Sequence, residues 1–311
     1  MATFRFALGH TAPAACRAAV LTLGNFDGVH RGHQALVAEA AKQAHLQACA
    51  AVAVTFDPHP LQILRPSAFQ PLLTTVEHRA DLLLAAGANH VLILATTPDL
   101  LRLPARNFFD KVILDELQAR AIVEGYNFAF GKDRQGTSDV LQSLCAKAGL
   151  PLTFVPPQEV AGKPVSSSRV RGEILAGRLD VVYSLLGRHH QITGTVVAGQ
   201  RRGQALGFPT ANLGDVGTLI PGNGVYAVRA ILDGRNWPAA ANVGPNPTFG
   251  EDARKLEVHL IGYGGDLYGK PLTVEFVEKI RDTRPFDSAA ELITQIHADV
   301  ERAREVASRA S

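Results

Sequence analysis

VLTLGNFDGVHRGH, Val20 to His33, decides how the first half of the chain reads. An apolar run stops at Gly24, Asn25 and Asp27, and helix formers follow from Gln34 to Gln47. A strand that ends at glycines and leads into a helix opens a βα unit. Gly24, Gly28 and Gly32 let the backbone turn tightly and approach a ligand closely. The helix start offers unpaired amides and a positive dipole end, both suited to phosphate. His30 and His33, three residues apart, can face one phosphate group. Two other readings of the pair stand beside this one. Each ring can be an ordinary hydrogen-bonded histidine, or both can ligate zinc, for which no convincing third ligand is evident.

The βα alternation continues on the C-terminal side. Ala50–Phe56 is an apolar run stopped by Asp57-Pro58, and His90–Ala95, Ala121–Glu124 and Leu152–Val155 are further strands. Helical patterns fall at Glu77–Ala86, Ala105–Gln118 and Ser138–Ala148. Near-continuous apolar strands between amphipathic helices predict a parallel sheet covered on both faces. Such sheets bind ligands at the carboxyl ends of their strands, where the strand order switches. After Gly187 the pattern changes. Ile192–Ala198, Val225–Leu232, Ala239–Val243, Leu256–Ile261 and Leu272–Phe276 read as strands separated by turn clusters. Asp287–Arg304 reads as a terminal helix. Strands without intervening helices predict an antiparallel barrel. Two domains follow, 1–187 and 188–311, which suits a length of 311 residues.

Composition narrows the function classes. The net charge is +2 and aromatics are 6% of residues, so neither a basic face nor stacking platforms for nucleic acid are expected. Three cysteines, Cys16, Cys49 and Cys145, without a CxxC pair suit a reducing compartment. The apolar stretch Ala12–Leu23 is interrupted by Arg17 and is too short to span a bilayer. No cleavage site follows it, so a cytoplasmic protein without membrane partners is expected. Nothing in the sequence sets the oligomeric state.

GNFDGVHRGH resembles the signature of the HxGH nucleotidyltransferases. With TFDPHP (Thr55–Pro60), GYNFAFGKDRQG (Gly125–Gly136) and VSSSRVR (Val165–Arg171), it resembles the adenylyltransferase module of bacterial bifunctional riboflavin kinase/FAD synthetases. The second half is similar to the riboflavin kinase module of that family. The similarity lies in GFPTANL (Gly207–Leu213), GVYAV (Gly224–Val228), NVGPNPTF (Asn242–Phe249), LEVHL (Leu256–Leu260), DLYG (Asp266–Gly269) and KIR (Lys279–Arg281). The resemblance implies a Rossmann-like domain followed by a six-stranded Greek-key barrel. It implies riboflavin, FMN and ATP as substrates and Mg2+ as cofactor.

Roles carry over residue by residue. His30 and His33 would support the phosphate in the transition state. Gly24, Asn25, Phe26, Asp27 and Gly28 would bind ATP, with Ser167, Ser168 and Arg171 holding the leaving phosphates. Ser167 and Ser168 also suit plain helix caps. His59, Asn127, Gly131 and Arg134 fall on the FMN or nucleotide side, or in ordinary turns. In the kinase half, Gly199, Arg202, Gly207 and Pro209 would bind ATP. Thr210 and Asn212 would ligate magnesium, and Glu257 would be the general base. By alternation alone Glu257 sits on the solvent face of its strand. Ser168, Ala129 and Gln204 depart from the usual threonine and two arginines. The competing functions are an HxGH transferase acting on another substrate and an RNA-binding barrel.

Overall fold

A computed structural model describes residues 1–199, 207–246 and 251–309. Arg201, Arg202 and Gln204 lie outside the described residues. The chain divides into two compact units, Met1–Gln70 with Thr75–Ser166, and Pro71–Thr74 with Ser167–Ser311.

The first unit is built on a six-stranded sheet. Its strands are β1 (Ala2–Phe6), β2 (Val20–Leu23), β3 (Ala51–Asp57), β4 (His90–Ala95), β5 (Ala121–Gly125) and β6 (Leu152–Val155). The order is β1-β4-β3-β2-β5-β6 and every pair is parallel. The order reverses between β2 and β5, which makes the gap between them the switch point. Helices α1 (Arg31–Leu46), α2 (Pro60–Leu64), α3 (Val76–Ala85), α4 (Pro98–Arg102), α5 (Ala105–Phe108) and α6 (Ser138–Ala148) fill the connections. The continuous helix expected over Ala105–Gln118 is one α turn followed by wider π-type winding over Phe109–Glu116. A small hairpin of β7 (Glu159–Val160) and β8 (Lys163–Pro164) follows β6.

Alternation explains why the strands are apolar throughout. Leu21, Leu23, Val52, Val54, Leu92 and Leu94 join one core with Phe108, Phe109, Val112, Ile113, Leu141 and Cys145. Their neighbours Ala53, Val91 and Ile93 face the other way, onto Val37, Ala80 and Leu83 of α1 and α3. A strand buried on both faces cannot alternate polar with apolar.

The second unit begins with α7 (Ser167–Ala176) and α8 (Leu179–Leu186). β9 (His190–Val197), β10 (Ala211–Gly214), β11 (Gly224–Leu232), β12 (Arg235–Asn246), β13 (Glu251–Leu260) and β14 (Pro271–Arg281) close into a barrel in the order β10-β13-β12-β11-β14-β9. β14 returns beside β11 after the β11–β12–β13 meander, so the connection is a Greek key. The barrel interior is lined by Ile192, Val228, Ala239, Ala241, Val258, Val274 and Phe276, all buried. Helix α9 (Ala289–Arg309) lies on β11, β12 and β14. There Val300, Ala303 and Val306 meet Ala227 and Ile261. Among the described residues no helix is long and apolar enough to cross a membrane.

The compact units part before α7, not at Gly187 where the sequence pattern changes. The reason is apolar burial. Leu179, Val182, Leu185 and Leu186 of α8 are at most 3% exposed, and the helix packs on β9 and β14. Pro71–Thr74 joins this unit too, with the Leu219 amide donating to the Leu72 carbonyl at 2.7 Å. Full burial of one such side chain contributes roughly 1.5–3 kcal/mol. A fragment of residues 167–311 should therefore melt at least about 10 °C above one of residues 188–311, at roughly 2–6 °C per kcal/mol for chains of this size. Equal melting temperatures in calorimetry would show that α8 adds nothing to the barrel.

Candidate active sites

In the first unit the motif loops leave the carboxyl ends of adjacent strands. GNFDG follows β2, TFDPHP ends β3 and GYNFAFG ends β5. Buried polar residues gather at this edge: Asp27, His30, Thr55, Arg79 and Glu124 are at most 6% exposed. Buried polar groups need partners and are seldom kept without use.

The Gly24–Val29 loop is tightly wound. Phe26, Gly28 and Val29 all have positive φ, at 48°, 82° and 38°. A β-branched residue in that region is strained by about 1–3 kcal/mol. Burial offsets the strain, because Phe26 and Val29 plug the core under α1 and α3 at 1% exposure each. The loop delivers His30 as the N-cap of α1, where its Nδ1 accepts from the His33 amide at 3.4 Å. An accepting Nδ1 puts the ring proton of neutral His30 on Nε2. The two imidazoles stack with centroids 3.6 Å apart at 16°, and Phe26 meets the edge of His33 at 5.2 Å. Burial, then the neighbouring His30 and Arg79, hold His33 well below the usual imidazole pKa. The pair that the sequence places three apart is thus a stacked couple at a helix start, with His33 neutral near pH 7.

Two supporting residues escaped the sequence reading. Arg79 of α3 is 1% exposed. Its Nη1 donates to Thr55 Oγ1 at 3.2 Å and to the Phe56 carbonyl at 3.3 Å. Thr55 in turn donates to the Asn25 carbonyl at 3.2 Å. The guanidinium thus ties β3 to the loop after β2. Burial lowers its pKa, while Asp27, Asp57 and Glu77 oppose that shift. Glu124, at the end of β5, accepts from the Leu23 amide at 2.5 Å. Burial pushes its carboxyl well above the usual carboxylate range, against the pull of the Leu23 and Gly125 amides.

The remaining first-unit candidates occupy the same edge. His59 caps α2, its Nδ1 accepting from the Leu61 amide at 3.2 Å, and its ring tilts against Phe69. Asn127 is exposed just after β5. Gly131 has φ 73°, and a Cβ there would lie 2.6 Å from Ala105 Cα, so only glycine fits. Paired backbone bonds between Phe130 and Gly136 close the loop that exposes Arg134. The Val165 carbonyl lies 3.9 Å from where a Cβ on Gly32 would stand. Ser167, Ser168 and Arg171 belong to the second unit, at the opening of α7. Arg171 Nε donates to the Pro71 carbonyl at 3.3 Å.

In the barrel, register does the work. Asn212 on β10 pairs with Glu257 on β13, and Glu257 pairs with Asn242 on β12. Directly paired residues share a face. Their neighbours Ala211, Leu213, Ala241, Val243, Leu256 and Val258 are buried inside, so this polar row stands on the outer face. The alternation expected for Glu257 holds. Asn242, inside the NVGPNPTF segment, is the third member of the row. Gly199 passes over Asn212 so closely that a Cβ would lie 2.1 Å from Asn212 Nδ2. Gly207 has φ 87°, and the Pro209 carbonyl accepts from His259 Nδ1 at 2.8 Å. That bond ties the segment leading to Thr210 onto β13. Thr210 and Asn212 offer neutral oxygens, which suit a hard cation that also takes phosphate oxygens. No group of three His, Cys, Asp or Glu side chains able to hold a metal occurs among the described residues.

A family model described as FAD synthetase matches residues 12–169, and one described as riboflavin kinase matches residues 186–307. A bifunctional riboflavin kinase/FMN adenylyltransferase from Pseudomonas fluorescens is 38% identical over 293 residues, 94% of each chain. The protein of the same description from Escherichia coli (strain K12) is 34% identical over 287 residues, 92% of each chain. A crystal structure described as a macrolide-efflux protein from Streptococcus pneumoniae matches with a TM-score of 0.85 and 30% identity, covering 96% of this chain and 98% of that one. With both models matched in series and the likeness running nearly end to end, this chain belongs to the bifunctional riboflavin kinase/FMN adenylyltransferase family.

Proposed function

We infer that the chain phosphorylates riboflavin to FMN and then transfers AMP from ATP to FMN, giving FAD and pyrophosphate. One observation carries the reading: polar motif residues cluster separately in the two folds. The GNFDG, TFDPHP and GYNFAFG segments leave the carboxyl edge of β2, β3 and β5, and Asn212, Glu257 and Asn242 form one row on the outer face of β10, β13 and β12. The functional division proposed is 1–187 for adenylyl transfer and 188–311 for the kinase. That division differs from the compact units, which part before Ser167. The cytoplasm is the proposed location.

In adenylyl transfer an FMN phosphate oxygen attacks the α-phosphorus of ATP as the bond to pyrophosphate breaks. No covalent enzyme intermediate is required. The protein orients the two phosphates and stabilises charge on the phosphoryl oxygens. His30, with its proton on Nε2, donates to that charge, and neutral His33 stacks behind it. Gly24, Asn25, Phe26, Asp27 and Gly28 hold ATP. Ser167, Ser168 and Arg171 hold the leaving phosphates. His59, Asn127, Gly131 and Arg134 face the flavin nucleotide.

In the kinase reaction Glu257 takes the proton from a ribityl hydroxyl as that oxygen attacks the γ-phosphorus. Asn242 and Asn212, paired on either side, keep the carboxylate on the outer face. Gly199, Arg202, Gly207 and Pro209 hold the nucleotide. Thr210 and Asn212 would hold magnesium, which when bound neutralises charge on the phosphate oxygens.

Three outcomes test this. Given riboflavin, ATP and magnesium, the protein should yield FMN and FAD by chromatography. Replacing His30 and His33 together with alanine should lower FAD turnover by at least about 10²-fold and leave FMN formation intact. Equal loss of both products would detach the motif from adenylyl transfer. Glu257→Gln should lower riboflavin phosphorylation by roughly 10²–10⁴-fold and leave FAD formation from supplied FMN unchanged. Near wild-type turnover with chemistry rate-limiting would return Glu257 to the face of a strand.

The charge state of His33 gives a pH test. Its folded pKa is lowered, so the unfolded chain gains a proton first as pH falls through about 6.5. The contribution to stability is complete above that value and is lost on acidification. In NMR the His33 ring should not titrate between about pH 7.5 and about pH 6. A midpoint near the unperturbed value would contradict the buried, neutral ring.

A further inference from the structure

Pairing between β2 and β5 stops early. Val20 pairs with Ala121 and Leu21 with Ile122, and no later pair forms. Both strands continue, to Leu23 and to Gly125. Their outer partners follow them the whole way, with Leu23 beside Val54 on one side and Gly125 beside Val155 on the other. The sheet therefore opens at the carboxyl end of its two central strands, at the switch point.

An opened pair strands backbone amides inside a core. On β2 the amides of Val20 and Gly24 donate to the β3 side, to the Ala50 and Val54 carbonyls. Alternation then turns the Leu23 amide towards β5. A side chain answers it there: Glu124 Oε1 accepts at 2.5 Å, from a residue 1% exposed. The Gly125 amide is a second donor to the same carboxyl. A valine or alanine at 124 would leave the Leu23 amide without that partner.

Leu23 is the last residue of β2. The next residues are the strained loop with Phe26, Gly28 and Val29 at positive φ, and then His30. We propose that Glu124 is a positioning residue for adenylyl transfer: it closes the gap between β2 and β5 through its side chain and fixes where the Gly24–Gly28 loop and His30 are presented. The proposal rests on adenylyl transfer being the activity of this site. A carboxyl suits the place for a geometric reason. It reaches the Leu23 amide where backbone pairing between β2 and β5 has stopped.

The test uses the full chain and three variants, Glu124→Ala, Glu124→Gln and Glu124→Asp. Turnover and KM for FAD formation from FMN and ATP are measured well below the melting temperature. FMN formation from riboflavin on the same chain is the control. Hydrogen exchange of the peptide covering residues 23–30 is followed in parallel. Glu124→Ala should lower kcat for FAD about 10–100-fold, with KM values within about threefold and FMN formation unchanged. Its 23–30 peptide should exchange at least about tenfold faster. Glu124→Gln keeps an acceptor oxygen at the same reach, so it should restore both readouts to within about threefold of wild type. Glu124→Asp, one methylene short, should fall between the two. A folded Glu124→Ala protein with wild-type kcat and exchange would overturn the proposal, as would a glutamine variant no better than alanine. Should the alanine variant fail to fold, wild-type kcat in Glu124→Asp overturns it equally. A wild-type chain that makes FMN and no FAD would instead refute the adenylyltransferase reading, and hydrogen exchange would then judge Glu124 alone.

Discussion

A parallel strand buried on both faces must give its backbone hydrogen bonds to its neighbours, and β2 does this towards β5 only as far as Leu21. Beyond that point the central strands part, and polar side chains take over. Glu124 answers the Leu23 amide. Arg79 and Thr55 hold the Asn25 carbonyl from the other side. Beyond these two anchors the loop is bent through three positive-φ residues. It hands the chain to α1 with His30 as the cap. An opening in the ladder, buried polar groups around it and a helix start aimed over it form one physical unit. Phosphate suits that place because the positive dipole end of α1 lies there.

The barrel solves a different problem with a simpler device. Its side chains alternate between a packed interior and an outer face, and antiparallel register sets Asn212, Glu257 and Asn242 in one row. A slip of one residue would send Glu257 into the core and bring Leu256 or Val258 out. The carboxylate is therefore placed by the whole barrel rather than by a loop. Its surroundings are fine-tuned locally, by the close pass of Gly199 over Asn212 and by the bond from His259 to Pro209.

Much of this was legible in the sequence. The apolar runs marked β2 to β6, and the turn clusters marked most of the barrel. Four of the described strands were not legible: the short β7–β8 hairpin, β1 and β10. β1 carries Thr3 and Arg5 at the sheet edge and has no clean apolar run. β10 is ANLG, four residues whose asparagine and glycine disfavour strands. Only the family motif pointed to it. The π-type winding at Phe109–Glu116 kept its apolar spacing, so periodicity read it as ordinary helix. Residues with motif chemistry stand out in the sequence, and those that hold the motif loops in place do not. Glu124 looked like the end of a short strand, and Arg79 like one charged residue on an amphipathic helix. A burial pattern exists only once the strands are stacked, so no local signal marks either. The one available hint was an acid ending the otherwise apolar run Ala121–Glu124.

The proposed function requires two chemically separate sites on one chain, linked by FMN. Mixing two defective chains tests it most directly, one with Glu257→Gln and one with His30 and His33 both replaced by alanine. Each is supplied with riboflavin, ATP and magnesium, alone and then together, and products are followed by chromatography. The first alone should form almost no FMN, the second alone should stop at FMN, and the mixture should form FAD. A mixture that stops at FMN, or a His-substituted chain that forms FAD unaided, would contradict it.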